Sequence, residues 1–175
     1  FKFSKIPMAR QVLEADYLVS LAKLKIHALC QVTLSLKNMF GCVPTRKYRV
    51  RIHPSIRSSL MDILQVRKPD FGIVDGIIGN QVEEVRSHPI NSGVLLASHD
   101  PLALDIIGTR CMGIHEDEIE FLKRAKEFYK FNPETIEIVG EKVENVMKPF
   151  NRDYGFSTRA RYAAERIMSK VLNSI

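Results

Sequence analysis

Short runs of apolar, often β-branched residues recur along this chain, and longer stretches with helical spacing separate them. YLVSL (17–21), FGIVD (71–75), GVLLAS (93–98) and TIEIV (135–139) read as strands. Between and around them, helical periodicity covers 53–66, 102–112, 116–131 and 157–172, with a short helix over 7–15 that carries Pro7 in its first turn. Strand–helix alternation of this kind predicts an α/β domain. Its mainly parallel sheet would be flanked by helices in a single layered unit over 1–175.

Punctuation residues sharpen the boundaries. Asp100-Pro101 is an N-cap followed by proline at the first helical position, and Gly113 suits the far end of that helix. Lys68-Pro69-Asp70 ends the helix that begins near His53. Ser157 caps a closing basic helix to Leu172. Residues 31–37, QVTLSLK, alternate and favour a strand, although LKNMFG could run helically. Residues 45–53, TRKYRVRIH, suggest a loop or an edge strand, and 77–92 and 149–156 read as irregular.

Composition removes several classes. The 175 residues suffice for one domain with a sizeable core. No apolar run is long enough for a membrane-spanning helix, and FKFSKIPMARQ has no signal-peptide core. The abrupt start without Met suggests a fragment of a longer polypeptide. Cys30, Cys42 and Cys111 show no CxxC spacing, so no four-cysteine iron–sulfur or zinc site is expected within this chain. Reduced thiols and a cytoplasmic location follow from that odd count. The net charge of +6 permits an anionic partner or is simply a basic surface. Without Trp, a stacking platform for nucleic acid is not expected. GxGxxG and Walker A motifs are both lacking.

The densest chemistry lies in Lys25–His53, KIHALCQVTLSLKNMFGCVPTRKYRVRIH. Lys37 sits among apolar residues, where burial frees the amine as a nucleophile, a cofactor anchor or an anion contact. The alternative is a solvated lysine on an edge strand. His27 and His53 flank it as an acid/base pair or with one as a metal ligand, against the alternative of ordinary loop histidines. Lys25, Asn38, Gly41, Arg46 and Arg49 complete a candidate ligand-binding segment, with the guanidinium groups suited to anions. Asp75, ending a strand before Gly76, is a ligand-facing acid or a turn residue. Asp105 lies in an apolar helix stretch, and a buried acid needs a partner. It joins the binding candidates.

KLKIH, VTLSLKNMFGCVP, IVDGI and GVLLASHDPLALDIIG, in that order, resemble the DUF362 family of uncharacterised proteins. The likeness covers most of residues 14–115. Members are often linked to a ferredoxin-like iron–sulfur segment, which implies a partner or segment of that kind outside these residues. Residues 79–92, GNQVEEVRSHPINS, depart from the family's glycine-rich loop. The order His27, Lys37, His53 is also distantly similar to the cofactor-binding domain of nickel-pincer lactate racemases. That likeness would make Lys37 the cofactor anchor, His53 the nickel ligand and His27 the proton-moving group. Two classes of function remain. One is a small-molecule or metal-cofactor enzyme domain with a small anionic ligand. The other is a non-catalytic module that binds an anion or nucleic acid, or docks an iron–sulfur partner, nucleic acid being the less expected.

Overall fold

The computed structural model describes residues 5–155 together with 160, 163, 164 and 167. A four-stranded sheet forms the frame. Its strands are β1 (Val19–His27), β2 (Gln31–Thr33), β3 (Phe71–Asn80) and β4 (Pro89–Ser98), in the spatial order β2-β1-β3-β4. The helices are α1 (Arg10–Leu13), α2 (Ser35–Asn38), α3 (Arg46–Ile52), α4 (Ile56–Val66), α5 (Pro101–Cys111), α6 (Glu120–Tyr129) and α7 (Val143–Val146).

The α/β class is as expected, but the sheet is mixed rather than mainly parallel. β1 and β3 are parallel, Leu21 lying opposite Ile73. β2 folds back on β1, and β4 folds back on β3, so both outer pairings are antiparallel. The second hairpin runs through residues read from sequence as irregular. Ile77 and Ile78 interrupt the alternation at a register shift, yet β3 continues to Asn80 before the chain reverses.

Five other expectations change. The strand expected over 31–37 stops at Thr33, because the Asp105 carboxyl accepts the N–H groups of Ser35 and Leu36 and starts α2 there. The TRKYRVRIH segment is helical: α3 buries only Ile52 and leaves its alternating Tyr48 and Val50 exposed. TIEIV is extended after a short turn of 3₁₀ helix but enters no ladder among the described residues. The helix expected over 7–15 covers only Arg10–Leu13, and that over 116–131 begins at Glu120. The closing helix expected over 157–172 lies outside the described residues except at 160, 163, 164 and 167, which are helical and exposed.

The core lies between the sheet and one layer of helices. Leu24, Ile26, Val74 and Val94 of the sheet meet Leu36, Leu60, Ile63, Leu102, Ile106 and Phe121 from the helices. Burying side chains of this size is worth about 1.5–3 kcal/mol each. α5 starts as the sequence predicts, with Asp100 Oδ1 accepting the N–H groups of Leu102 and Ala103 and Pro101 in the first turn. It can lie flat on β3 because Gly72 has no side chain: a Cβ there would stand 2.4 Å from Leu104 Cδ2 and 2.8 Å from Ser35 Oγ.

Candidate functional site

Because β1 and β3 are parallel, their carboxyl ends open on the same edge of the sheet, where open α/β folds place ligands. His27 is the last residue of β1, and β3 delivers the loop 81–88 beside it.

The turn that follows β1 fixes the imidazole. His27 Nδ1 accepts the N–H of Leu29 at 3.1 Å and of Cys30 at 3.3 Å. A nitrogen that accepts cannot hold the ring proton, so in the neutral ring the hydrogen is on Nε2. His27 is buried, and its pKa falls from 6.5 to about 3. Burial is the main cause, reinforced by the Lys37 charge and opposed by Glu84. The ring is therefore neutral at physiological pH and offers one fixed N–H donor.

His53 and Phe40 extend the cluster. The His27 and His53 ring centroids are 6.2 Å apart, and those of Phe40 and His53 are 5.9 Å apart. Lys37 Nζ stands 5.6 Å from the Phe40 ring centre. Burial lowers the Lys37 pKa. Cys30 and Glu84 oppose that shift and Lys25 adds to it. Cys30, buried beside these cations, remains a thiol with its pKa pushed up to about 12 by burial. It is not a thiolate nucleophile at neutral pH.

Two further residues hold this edge together, and the first, Glu84, carries no signal in the sequence. Glu84 Oε2 accepts the Ala28 N–H at 3.0 Å and lies 3.8 Å from His27 Nδ1. Its charge acts on His27, Lys37 and Cys30 alike. The loop that carries it is shaped by Asn80, whose side chain donates to the Glu83 and Arg86 carbonyls and accepts the His88 N–H. Val82 in that loop has φ +67, a conformation that costs a β-branched residue, and its N–H donates to the Asn151 carbonyl at 2.7 Å. Arg57 is the second. It donates from Nε to the Leu29 carbonyl at 2.8 Å and from Nη1 to Glu120 at 2.6 Å, tying the turn to α6. Asn80 at the end of β3 was the available signal for the loop, since Asn organises turns through its own side chain.

The remaining candidates fall elsewhere. Asp75 pairs with Lys23 at 2.8 Å, away from the cluster. Asp105 is completely buried under α2, where its oxygens accept backbone N–H groups. Asn38 donates to Ser20 Oγ and the Leu21 carbonyl, and Gly41 is exposed with open space around it. Arg46 and Arg49 lie on α3. A cavity of about 330 Å³ opens between β4, α5 and the 136–143 segment. Its lining, which includes Leu96, Ala103, Ile107, Ile136 and Val143, holds none of the sequence candidates.

The donor set does not suit a metal held by protein alone. No group of three or more His, Cys, Asp or Glu side chains converges among the described residues. His27 Nδ1 is taken up by two backbone amides, and a protein metal site draws on three or four ligands.

Residues 1–110 match the family model described as Domain of unknown function (DUF362). The chain belongs to this family. The match includes the whole Lys25–His53 segment and the Glu84 loop, so the cluster is made of DUF362 residues. The chain is also similar to the thylakoid-associated protein sll1697 of Synechocystis sp., being 29% identical over 144 residues. That alignment covers 78% of this chain and 44% of the Synechocystis protein, so the chain spans less than half of that relative's length. No solved structure matches the chain. The likeness to lactate racemases is not confirmed by these comparisons. No helix among the described residues is long and apolar enough to cross a membrane.

Proposed function

We propose that this DUF362 chain carries the reactive site of a small-molecule enzyme, in which Lys37 supplies an amine whose pKa burial lowers and His27 a fixed N–H donor to a small anionic ligand. One observation carries the reading. The turn after β1, the first helix after β2 and the start of the 53–66 helical segment bring His27, Lys37 and His53 into one partly buried cluster. A desolvated lysine is a nucleophile or base near neutral pH, and a neutral imidazole that donates from Nε2 stabilises negative charge developing on a ligand oxygen. Lys25 and Arg57 add positive potential that favours an anion.

The test is amine labelling of the folded protein with a small acylating reagent near neutral pH, read by peptide mass spectrometry. Lys37 is expected to react faster than the exposed lysines, because burial lowers its pKa. Protein purified from its native host is examined in parallel by intact mass and metal analysis for a group bound at Lys37. If Lys37 reacts no faster than Lys47 or Lys123 and carries nothing in the native protein, the reading fails.

The geometry of α3 supports a second reading. Arg46, Lys47 and Arg51 are all exposed on this one helix, a surface that suits an anionic partner without any chemistry. Binding that weakens steeply with salt and survives Lys37→Ala would favour it.

A further inference from the structure

One turn beside the cluster holds a conformation that its own residues do not favour. The Glu83 N–H donates to the Gln81 carbonyl at 2.8 Å, closing a three-residue turn with Val82 at its centre. Val82 has φ +67, so this is the rare γ-turn with a positive central φ, and a β-branched residue adopts it only under constraint. Strained backbone of this kind persists where its surroundings over-determine it, and such places cluster at functional sites.

The constraint comes from a distant part of the chain. The Val82 N–H donates to the Asn151 carbonyl at 2.7 Å, and the Asn151 N–H donates to Gln81 Oε1 at 3.0 Å. The turn is thus tied at two points to one residue, which is itself anchored. The neighbouring Phe150 is buried, and its ring lies so close to β3 that a Cβ at Gly79 would stand 2.6 Å from Phe150 Cζ. The Phe150 N–H donates to the Met112 carbonyl just beyond α5. Residues 1–110 carry the family match, so this anchor comes from outside it.

The turn aims Glu84, two residues past Val82. Glu84 Oε2 accepts the Ala28 N–H at 3.0 Å and lies 3.8 Å from His27 Nδ1. Were Val82 to relax to a negative φ, the chain after it would leave in another direction and take Glu84 with it. Asn80 would still hold the rest of the loop through Arg86 and His88.

We propose that Gln81 is a positioning residue of the candidate site: with the Asn151 backbone it holds the strained turn that places Glu84 against the turn after β1. The proposal rests on the reading of Lys37 as the reactive amine. Cys30, Lys25 and Glu84 are the groups whose charges act on that amine. Lys25 and Cys30 lie on β1 and the turn after it, so of the three only Glu84 is carried by the clamped loop.

Gln81→Met tests this, because it keeps the side chain long but removes the accepting oxygen. Amide hydrogen exchange, read by NMR, follows Val82 and Ala28. Both are expected to exchange roughly five- to tenfold faster, the effect of one lost hydrogen bond, while amides in the middle of β3 keep their protection. The pH inflection of Lys37 acylation should move down as Glu84 withdraws. It should move no further when Gln81→Met is added to Glu84→Gln. Unchanged protection at Ala28 would overturn the proposal. So would a Lys37 inflection that stays or rises, or a shift that recurs in the Glu84→Gln background. Should the variant not fold, the wild type decides: Val82 and Ala28 are expected to show matching protection from a shared opening, and a protected Ala28 beside a freely exchanging Val82 would overturn the proposal. If Lys37 of the wild type labels no faster than Lys47 or Lys123, the reactive-amine reading alone fails, since the Ala28 amide still reports on the clamp.

Discussion

The Asp105 carboxyl of α5 accepts the backbone N–H of Ser35 at 2.8 Å, and its second oxygen accepts that of Leu36 at 2.9 Å. The four-residue α2 has no side-chain cap of its own at Leu34, so a residue seventy positions away supplies its first turn. That turn presents Lys37.

Asp105→Asn should therefore destabilise the fold by about 2–4 kcal/mol, because an amide nitrogen would replace one of two buried acceptors. Denaturant unfolding reads the loss directly. The wild type should also show a pH signature. Burial pushes Asp105 from 3.8 up to about 8, with the Leu36 and Ser35 amides pulling the other way. Between those values the unfolded chain has lost the proton and the folded chain keeps it, so stability falls as pH rises across that window. The Asn variant should lack this slope. An unchanged midpoint and an unchanged slope would mean that α2 forms without its cap.

His27 should contribute a slope of the opposite sign. Its pKa is depressed from 6.5 to about 3, mainly by burial. Between those values the unfolded chain binds a proton that the folded chain refuses, so stability is lost as pH falls below about 6.5. His27→Asn keeps an oxygen to accept the Leu29 and Cys30 amides but cannot titrate. Its stability difference from the wild type should shift progressively in its favour from pH 6.5 toward pH 3. A constant difference over that range would show that the imidazole is solvated.

The parts of this fold visible in the sequence are those set by local chemistry. Asp100-Pro101 marks the start of α5 because a cap and a fixed φ act within a single turn. The end of β2 was hidden, because Asp105 decides it from another helix. α3 was hidden because Tyr48, Val50 and Ile52 mimic a strand, though the core takes only Ile52. The parallel sheet was overestimated because the 81–88 loop that reverses the chain has no glycine turn signal and depends instead on Asn80. At the site, His27, Lys37 and His53 were legible as residue types within one segment. Glu84 was not, since nothing local distinguishes a carboxylate that reaches back to Ala28 from one that faces water.

Gly72 tests the packing of α5 and α2 on β3 without touching any titrating group. Gly72→Ala would place a methyl carbon 2.4 Å from Leu104 Cδ2 and 2.8 Å from Ser35 Oγ. The helices must move or the side chains must leave their rotamers, at a cost of about 1–3 kcal/mol. Thermal unfolding should show a lower midpoint. An unchanged midpoint would mean that the helix layer gives way freely.

Glu84 is the carboxylate whose charge raises both His27 and Lys37. Glu84→Gln removes that charge while keeping an oxygen to accept the Ala28 N–H. Both bases should then lose a proton more easily, so the Lys37 pKa falls further below its usual value. Acylation of Lys37 as a function of pH reads this out, because only the uncharged amine reacts. The inflection should move to lower pH in the variant, and labelling at a fixed neutral pH should become faster. A substitution that merely loosened the loop would expose Lys37 to water and move the inflection upward, toward the ordinary lysine value. The direction of the shift therefore separates an electrostatic role for Glu84 from a structural one, and an upward shift would remove it from the site.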